Sequence, residues 1–322
     1  MKKYLLFILL IAALQIHAQS TLRFKNGKFK IVQFTDLHWV EADTCKVYND
    51  STAHLMRKII SDEIPDLVVL TGDIAVSDGA DKSWETLVRI FKDTNTPFVV
   101  TYGNHDTETQ FTKQQQLDMV MKEPLNLTRN SAGFVAGVGN CHISVQAENE
   151  DQTKWILYFL DSHSYTDDHK NLGYYDWIKG SQIEWYRKES DKYKLQNKRT
   201  LPALAFFHIP LPEYKIVKKM PETTGNKLEN ICSPKINSGL FSAFIEQGDV
   251  LGVFTGHDHN NDFVGTTSNI ILGYGRKTGY VSAYEELLER GGRVIIIDED
   301  KANMETYIRT LDGIEHRFYY SR

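Results

Sequence analysis

Five short apolar runs in this chain each stop at a residue able to bind a metal ion. Phe29 to Phe34 leads into Thr35-Asp36-Leu37-His38. Leu67 to Leu70 leads into Thr71-Gly72-Asp73. Phe98 to Tyr102 leads into Gly103-Asn104-His105-Asp106. Leu204 to Phe207 leads into His208, and Val250 to Thr255 into Gly256-His257-Asp258-His259. A run this short, apolar on successive residues, reads as a strand buried on both faces. Side chains at the tips of such strands converge on one crevice in a layered α/β fold. This recurrence constrains the chain more than any bulk property does.

The segments between the runs fit that architecture. Tyr48 to Ser61 carries an apolar helical stripe of Leu55, Met56, Ile59 and Ile60, and Asp81 to Phe91 one of Trp84, Leu87, Val88 and Phe91. The order β-α-β-α-β predicts parallel crossovers and an α/β fold. Thr112 to Lys122 reads as a helix. Gly133 to Val138, Cys141 to Gln146 and Trp155 to Leu160 read as an antiparallel patch ending at Asp161-Ser162-His163. A helix over Ser181 to Lys194 has Ser181 and Glu184 at capping-box spacing. Pro210 to Pro234 reads as a surface loop over the site, partly mobile. A short helix, Gly239 to Glu246, precedes the last of the five runs. Phe263 to Val264, Ile270 to Tyr274 and Val294 to Ile297 read as further strands, and Asp312-Gly313 as a hairpin turn between Glu305 to Leu311 and His316 to Tyr320. No repeat or linker divides the chain, which predicts one domain over 19–322.

The N-terminus reads as an address. Lys2 and Lys3 precede an apolar stretch, Tyr4 to Leu14, and Ala18 offers a small residue for cleavage. The stretch is short for a bilayer span, so a cleaved signal peptide over 1–18 is expected, with an uncleaved anchor as the alternative. The protein is then exported, periplasmic or extracellular, with no transmembrane span after cleavage. An exported chain can oxidise two of its three cysteines, Cys45, Cys141 and Cys232. None forms a Cys-x-x-Cys pair, which leaves a thiolate zinc site unsupported. A net charge of -5 supplies no basic field for nucleic acid or for an anionic membrane.

Carboxylate oxygen and imidazole nitrogen suit zinc, iron or manganese; magnesium remains possible, and an all-oxygen calcium site would not recruit so many histidines. The number of donors predicts two ions. Asp36, His38 and His259 with Asp73 make one set, and Asn104, His208 and His257, sharing Asp73, the other. A carboxylate can bridge ions about 3.5–4 Å apart. Alternation along an extended Asp-x-His would put both ligands on one side. A lone Asp, Asn or His at a strand end is ordinarily a turn former; five sets in one chain point elsewhere. His163 shares the context and is a further candidate.

D-L-H at 36–38, G-D at 72–73, G-N-H-D at 103–106, H at 208 and G-H-D-H at 256–259 resemble, in this order, the signature blocks of calcineurin-like metallophosphoesterases. The likeness spans Phe29 to Ile297. G-Y-Y-D-W-I-K-G-S-Q-I-E-W-Y at 173–186 and F-F-H-I-P-L-P-E-Y at 206–214 resemble the purple-acid-phosphatase-like group within it. The resemblance implies a four-layer α/β/β/α sandwich of two mixed sheets. It implies that His105 protonates the leaving oxygen or stabilises the transition state, that Asp106 orients His105, and that Asp258 is structural. Purple acid phosphatases carry a ferric-binding Tyr three residues after the bridging Asp; here that position is Val76, so the ferric-tyrosinate site is not expected.

The expected activity is metal-dependent phosphoester hydrolysis by a bridging hydroxide, on a phosphorylated small molecule or other phosphoester. The alternatives are a phosphodiesterase or nucleotidase at the same site, or a noncatalytic metal-dependent binding protein. Tyr174, Tyr175 and Trp177 could stack on a base, sugar or aryl group, or pack on the next helix. Arg276 could meet a phosphate, or be an ordinary surface residue.

Overall fold

The computed structural model describes residues 21–131 and 133–321, and the predicted signal segment, 1–18, lies outside them. One sheet has the order β13 (Ile314–Tyr320), β12 (Met304–Thr310), β11 (Gly291–Asp298), β2 (Lys28–Phe34), β3 (Leu67–Thr71), β4 (Phe98–Thr101). The other has the order β1 (Leu22–Arg23), β5 (Cys141–Gln146), β6 (Thr153–Phe159), β7 (Ala203–Phe206), β8 (Val250–Thr255), β10 (Ile270–Tyr274), β9 (Val264–Thr267). Both are mixed. β2, β3 and β4 are parallel, while β11, β12 and β13 join them antiparallel. In the second sheet β6, β7, β8 and β10 are parallel.

The alternation of side chains in β2 shows where its apolar residues go. Phe29 and Ile31 point between the sheets, where they meet Leu157, Phe206 and Phe254 of the second sheet. Val32 and Phe34 point the other way, onto α1 (Lys46–Glu63) and α2 (Ala80–Thr94), through Leu55, Met56, Ile59 and Leu87. A strand buried on both faces favours apolar residues, and its one buried amide, Gln33, is held by hydrogen bonds. After α3 (Lys113–Val120) and the single turn α4 (His169–Leu172), α5 (Gly180–Asn197) lies outside the second sheet. After the short α6 (Tyr214–Val217), α7 (Leu240–Gln247) joins it there; Tyr186, Leu240 and Phe244 pack on Tyr158, Ala203 and Val253. The layers therefore run helix, sheet, sheet, helix. Among the described residues no helix is long and apolar enough to cross a membrane.

Several local expectations are corrected. Residues 133–138 form no strand: Gly133 and Gly137 are left-handed, at φ of 95° and 86°, and the Val138 N–H donates to the Asp161 side chain at 2.9 Å instead of to a ladder. The helix expected from Ser181 begins at Gly180, and Gln182, not Glu184, reaches back to it: Gln182 Oε1 accepts from the Lys179 N–H at 2.7 Å. Ser181 Oγ instead accepts from the Ala136 N–H at 3.1 Å. The segment 210–234 is packed down: Tyr214 is buried and its hydroxyl donates to the carbonyl of Val253 at 3.0 Å. Cys45, Cys141 and Cys232 are all free.

Candidate metal centre

The C-terminal tips of β2, β3 and β4 meet those of β7 and β8 at one end of the two sheets. Buried hydrogen bonds tie the tips together across the layers. Gln33 Nε2 donates to Thr71 Oγ1 at 2.8 Å and to the Thr255 carbonyl at 3.0 Å. The His257 N–H donates to Asp36 Oδ2 at 3.0 Å. The approach is close enough to demand glycine: a Cβ on Gly103 would lie 2.2 Å from Asp73 Oδ1, and one on left-handed Gly72 would lie 2.5 Å from His208 Nδ1.

Two buried triads result. Asp36, His38 and His259 bring donor atoms together on one side, and Asp73, His208 and His257 on the other. Asp73 sits between them, with Oδ2 3.1 Å from His208 Nε2 and 3.7 Å from His38 Nε2. Its other oxygen, Oδ1, accepts from the His105 N–H at 2.8 Å. Six of the candidate donors thus fall into two groups, but the local geometry that brings them together differs from expectation. Asp36, His38, Asp73 and His257 all have left-handed φ values, 52°, 47°, 52° and 83°. The ligands therefore converge through tight turns past the strand ends and not through extended alternation. Non-glycine residues in this region cost of order 1–3 kcal/mol each and persist where the surroundings over-determine them.

The donors fit cations. His38 Nε2, His257 Nε2 and Asn104 Oδ1 are buried and have no hydrogen-bond partner. Orphaned buried acceptors are costly and call for an explanation. Surrounding residues fix the orientation of the rings and the amide. His208 Nδ1 lies 2.7 Å from the Thr71 carbonyl and His259 Nδ1 2.7 Å from Glu286, which turns Nε2 of each ring inward. Asn104 Nδ2 donates to the Tyr165 hydroxyl at 2.7 Å, which leaves Oδ1 facing the site.

Charge is strongly coupled here. Burial alone would raise the Asp73 carboxyl, yet His208 and His38 hold it well below the usual range. Burial alone would lower His208, but Asp73 and Asp36 push it up to about 9. Burial together with the neighbouring His208 takes His257 down to about 3. Lys277, buried beneath the site and donating to the Asp36 carbonyl at 3.1 Å, is pushed down by burial to about 8.

His105 stands apart from the triads, partly exposed, with its ring 5.2 Å from that of His38. Its partner differs from expectation. The Asp106 carboxylate accepts from the backbone N–H groups of Asp73, Ile74, Ala75 and Gly103, at 2.7–3.2 Å, and so clamps the β3 tip to the β4 tip. The imidazole Nδ1 instead meets Glu108 Oε1 at 2.8 Å. His105 to Thr107 form one 3-10 turn, in which residues three apart eclipse. That spacing was the available signal for Glu108. Glu286 carried none, because it lies on an irregular segment far along the chain.

A cleft of about 330 Å3 opens over the ligands, lined in part by His105, Tyr165, Tyr174, Tyr175, Glu229 and Tyr284. Trp177 is elsewhere, beneath the Lys179 ammonium at 3.9 Å. His163 Nε2 bonds Gln182 at 2.7 Å and joins neither triad. Arg276 is not a surface residue and is not among the residues lining the cleft: it is buried against Asp262 and Glu315. Asp258 accepts from the Tyr274 hydroxyl and the Cys232 N–H, a structural placement.

The family model for calcineurin-like phosphoesterases matches residues 29–261, the stretch that supplies both triads. This chain belongs to that family. The calcineurin-like phosphoesterase described here is 34% identical over 310 residues to the protein named "Probable inactive purple acid phosphatase 29" of Arabidopsis thaliana, covering 87% of this chain and 79% of the relative. It is 33% identical to Phosphatase DCR2 of Saccharomyces cerevisiae, covering 80% of this chain and 49% of that protein. Among solved structures, a dimetal phosphatase from Danio rerio superposes with a TM-score of 0.61 at 13% identity, over 91% of this chain and 98% of that one. A purple acid phosphatase from yellow lupin superposes with a TM-score of 0.52 at 14% identity, over 92% and 54%. At such identities these two neighbours establish the fold alone, and it is the metallophosphoesterase fold.

Proposed function

We propose that this calcineurin-like phosphoesterase is a metal-dependent enzyme that hydrolyses phosphate esters. One observation carries the reading: two buried triads share a central carboxylate, and unpartnered acceptor atoms lie beside it. Asp36, His38 and His259 would hold one cation and Asn104, His208 and His257 the other, with Asp73 available to both. When bound, such a pair supplies Lewis acidity that draws in phosphoryl oxygens and makes hydroxide available near neutral pH.

The remaining work falls to the chain itself. His105 sits at the cleft, outside both triads, where it can give a proton to the departing alkoxide; such acid catalysis is worth about 10²–10⁴-fold. Glu108 holds Nδ1 of that ring, leaving Nε2 as the free nitrogen. Asp106 keeps the two loops in register, so it is a positioning residue. Mono- and diesters both remain substrates of this reading. Export rests on the basic-then-apolar N-terminal composition, Lys2 and Lys3 before Tyr4 to Leu14.

A second reading, a noncatalytic metal-binding protein, is favoured by the word "inactive" in the names of plant relatives. All seven proposed ligands and His105 are present here, which favours catalysis. The deciding experiment assays metal-stripped protein on phosphomonoesters and phosphodiesters, with manganese, zinc, iron or magnesium restored. Turnover that returns with metal and falls at least about a hundredfold in His105→Ala, with metal content unchanged, supports the enzyme. Stoichiometric metal binding without hydrolysis of any ester supports the second reading.

A further inference from the structure

The walls of the cleft have a chemistry of their own. Tyr165, Tyr174 and Tyr175 form a contiguous group with ring centroids 5.0, 5.1 and 5.9 Å apart. Tyr175 also meets His257 edge-on at 4.5 Å, which places the group directly beside the ligands. Tyr284, stacked on His259 at 4.7 Å, lines the same cleft. Beside it lies the Glu229 carboxylate, accepting from the Tyr284 hydroxyl at 3.0 Å and from the Asn260 N–H at 2.8 Å. That carboxylate has no cationic partner among the described residues; Lys218 donates to the Glu229 backbone carbonyl instead. Among the described residues no lysine or arginine lines the cleft.

Most phosphoester substrates that carry a second anionic group need a guanidinium or ammonium to receive it. This cleft offers aromatic rings and an unpaired carboxylate, which attract positive charge. We propose that the alcohol half of the substrate is a cation: the phosphate ester of an amino alcohol, its ammonium held among the tyrosines and Glu229 while its phosphate reaches the two triads. The phosphate placement rests on the function proposed above; the ammonium site does not.

The two parts can be tested apart. Choline and its uncharged carbon isostere, 3,3-dimethylbutan-1-ol, differ in charge and hardly in shape. Binding of each to the full chain is measured by ligand-observed NMR. Choline is expected to bind about tenfold more tightly, a difference within the range of desolvated cation–π and carboxylate contacts. Glu229→Gln and Tyr175→Leu are each expected to narrow that preference by at least about threefold. Equal binding of the two ligands, binding of neither, or a preference untouched by both substitutions overturns the proposal. Because neither probe carries phosphate, a chain that prefers choline yet cleaves no phosphoester defeats the hydrolytic reading alone. A chain that cleaves phosphoesters yet shows no preference defeats the ammonium site alone.

Discussion

Two regions of this molecule bring together the same kinds of side chain and do different things with them. At the strand tips, Asp36, His38 and His259 stand beside Asp73, His208 and His257. At the start of β13, Glu315 and His316 meet Asp262, and an imidazole and two carboxylates again come close together. In that second group a cation is already built in. Arg276 donates to Asp262 Oδ2 from Nε at 2.8 Å and to Glu315 from Nη2 at 2.7 Å, and His316 Nε2 faces the Asn226 amide at 3.0 Å. Every charge is answered by the chain itself. At the strand tips no arginine fills the centre, and His38 Nε2, His257 Nε2 and Asn104 Oδ1 are left without partners. Ligand-type residues in proximity are not enough; what separates a metal site from a salt-bridge cluster is whether the chain has satisfied its own buried donors and acceptors.

Substitution of one carboxylate in each region sharpens this contrast. Asp73→Asn should lower turnover by about a thousandfold or more, the scale of several kcal/mol of lost charge stabilisation, and reduce metal content measured by elemental analysis. Asp262→Asn should leave metal stoichiometry unchanged and destabilise the fold by about 3–5 kcal/mol in denaturant titration, because Arg276 loses its buried partner. Metal loss in Asp262→Asn would break the comparison.

Acid should separate the regions as well. Ligation needs unprotonated imidazole, and His208, lowered by burial but pushed up to about 9 by Asp73 and Asp36, takes a proton first, so bound metal should be released progressively as pH falls below about 9. Burial would raise the Asp262 carboxyl, but the Arg276 guanidinium holds it below the usual range. A depressed carboxyl contributes stability that is present above its unfolded value and lost only as pH falls through the lower folded one. At pH 5 the protein should therefore be metal-poor and still folded, as read by elemental analysis and circular dichroism; simultaneous loss of metal and fold would contradict this.

The smallest effect concerns the rim of the centre. Glu108 is about half exposed, so Glu108→Gln should lower kcat by about tenfold or less, with KM and metal content unchanged. An unaltered kcat would remove Glu108 from any role in holding His105.

The sequence made the ends of the buried strands visible because strands covered on both faces are mostly apolar, so each transition to Asp, Asn or His stands out. Phe29 to Phe34 and Val250 to Thr255 were legible for that reason, and with them the seven candidate ligands. Glu108, Tyr165, Glu286 and Glu229 were not. Each sits on a turn or an irregular segment, where no periodicity marks which way a side chain faces. Asp106 shows the limit most plainly: its proximity to His105 in the chain suggested a partnership, whereas folding gave its carboxylate to four backbone N–H groups on two loops.

What the amino-acid sequence determined by itself was the layered α/β fold, the order of its strands and the identity of the donors at their tips, because burial dictates composition locally. What only the tertiary structure decided was how those donors are oriented and what surrounds them. Left-handed turns at Asp36, His38, Asp73 and His257, the Glu286 and Thr71 contacts that aim the imidazoles, and the tyrosine-lined cleft all depend on residues far apart in the chain. Their positions follow from the packing of two sheets against each other, and packing across such separations leaves no periodic trace in sequence.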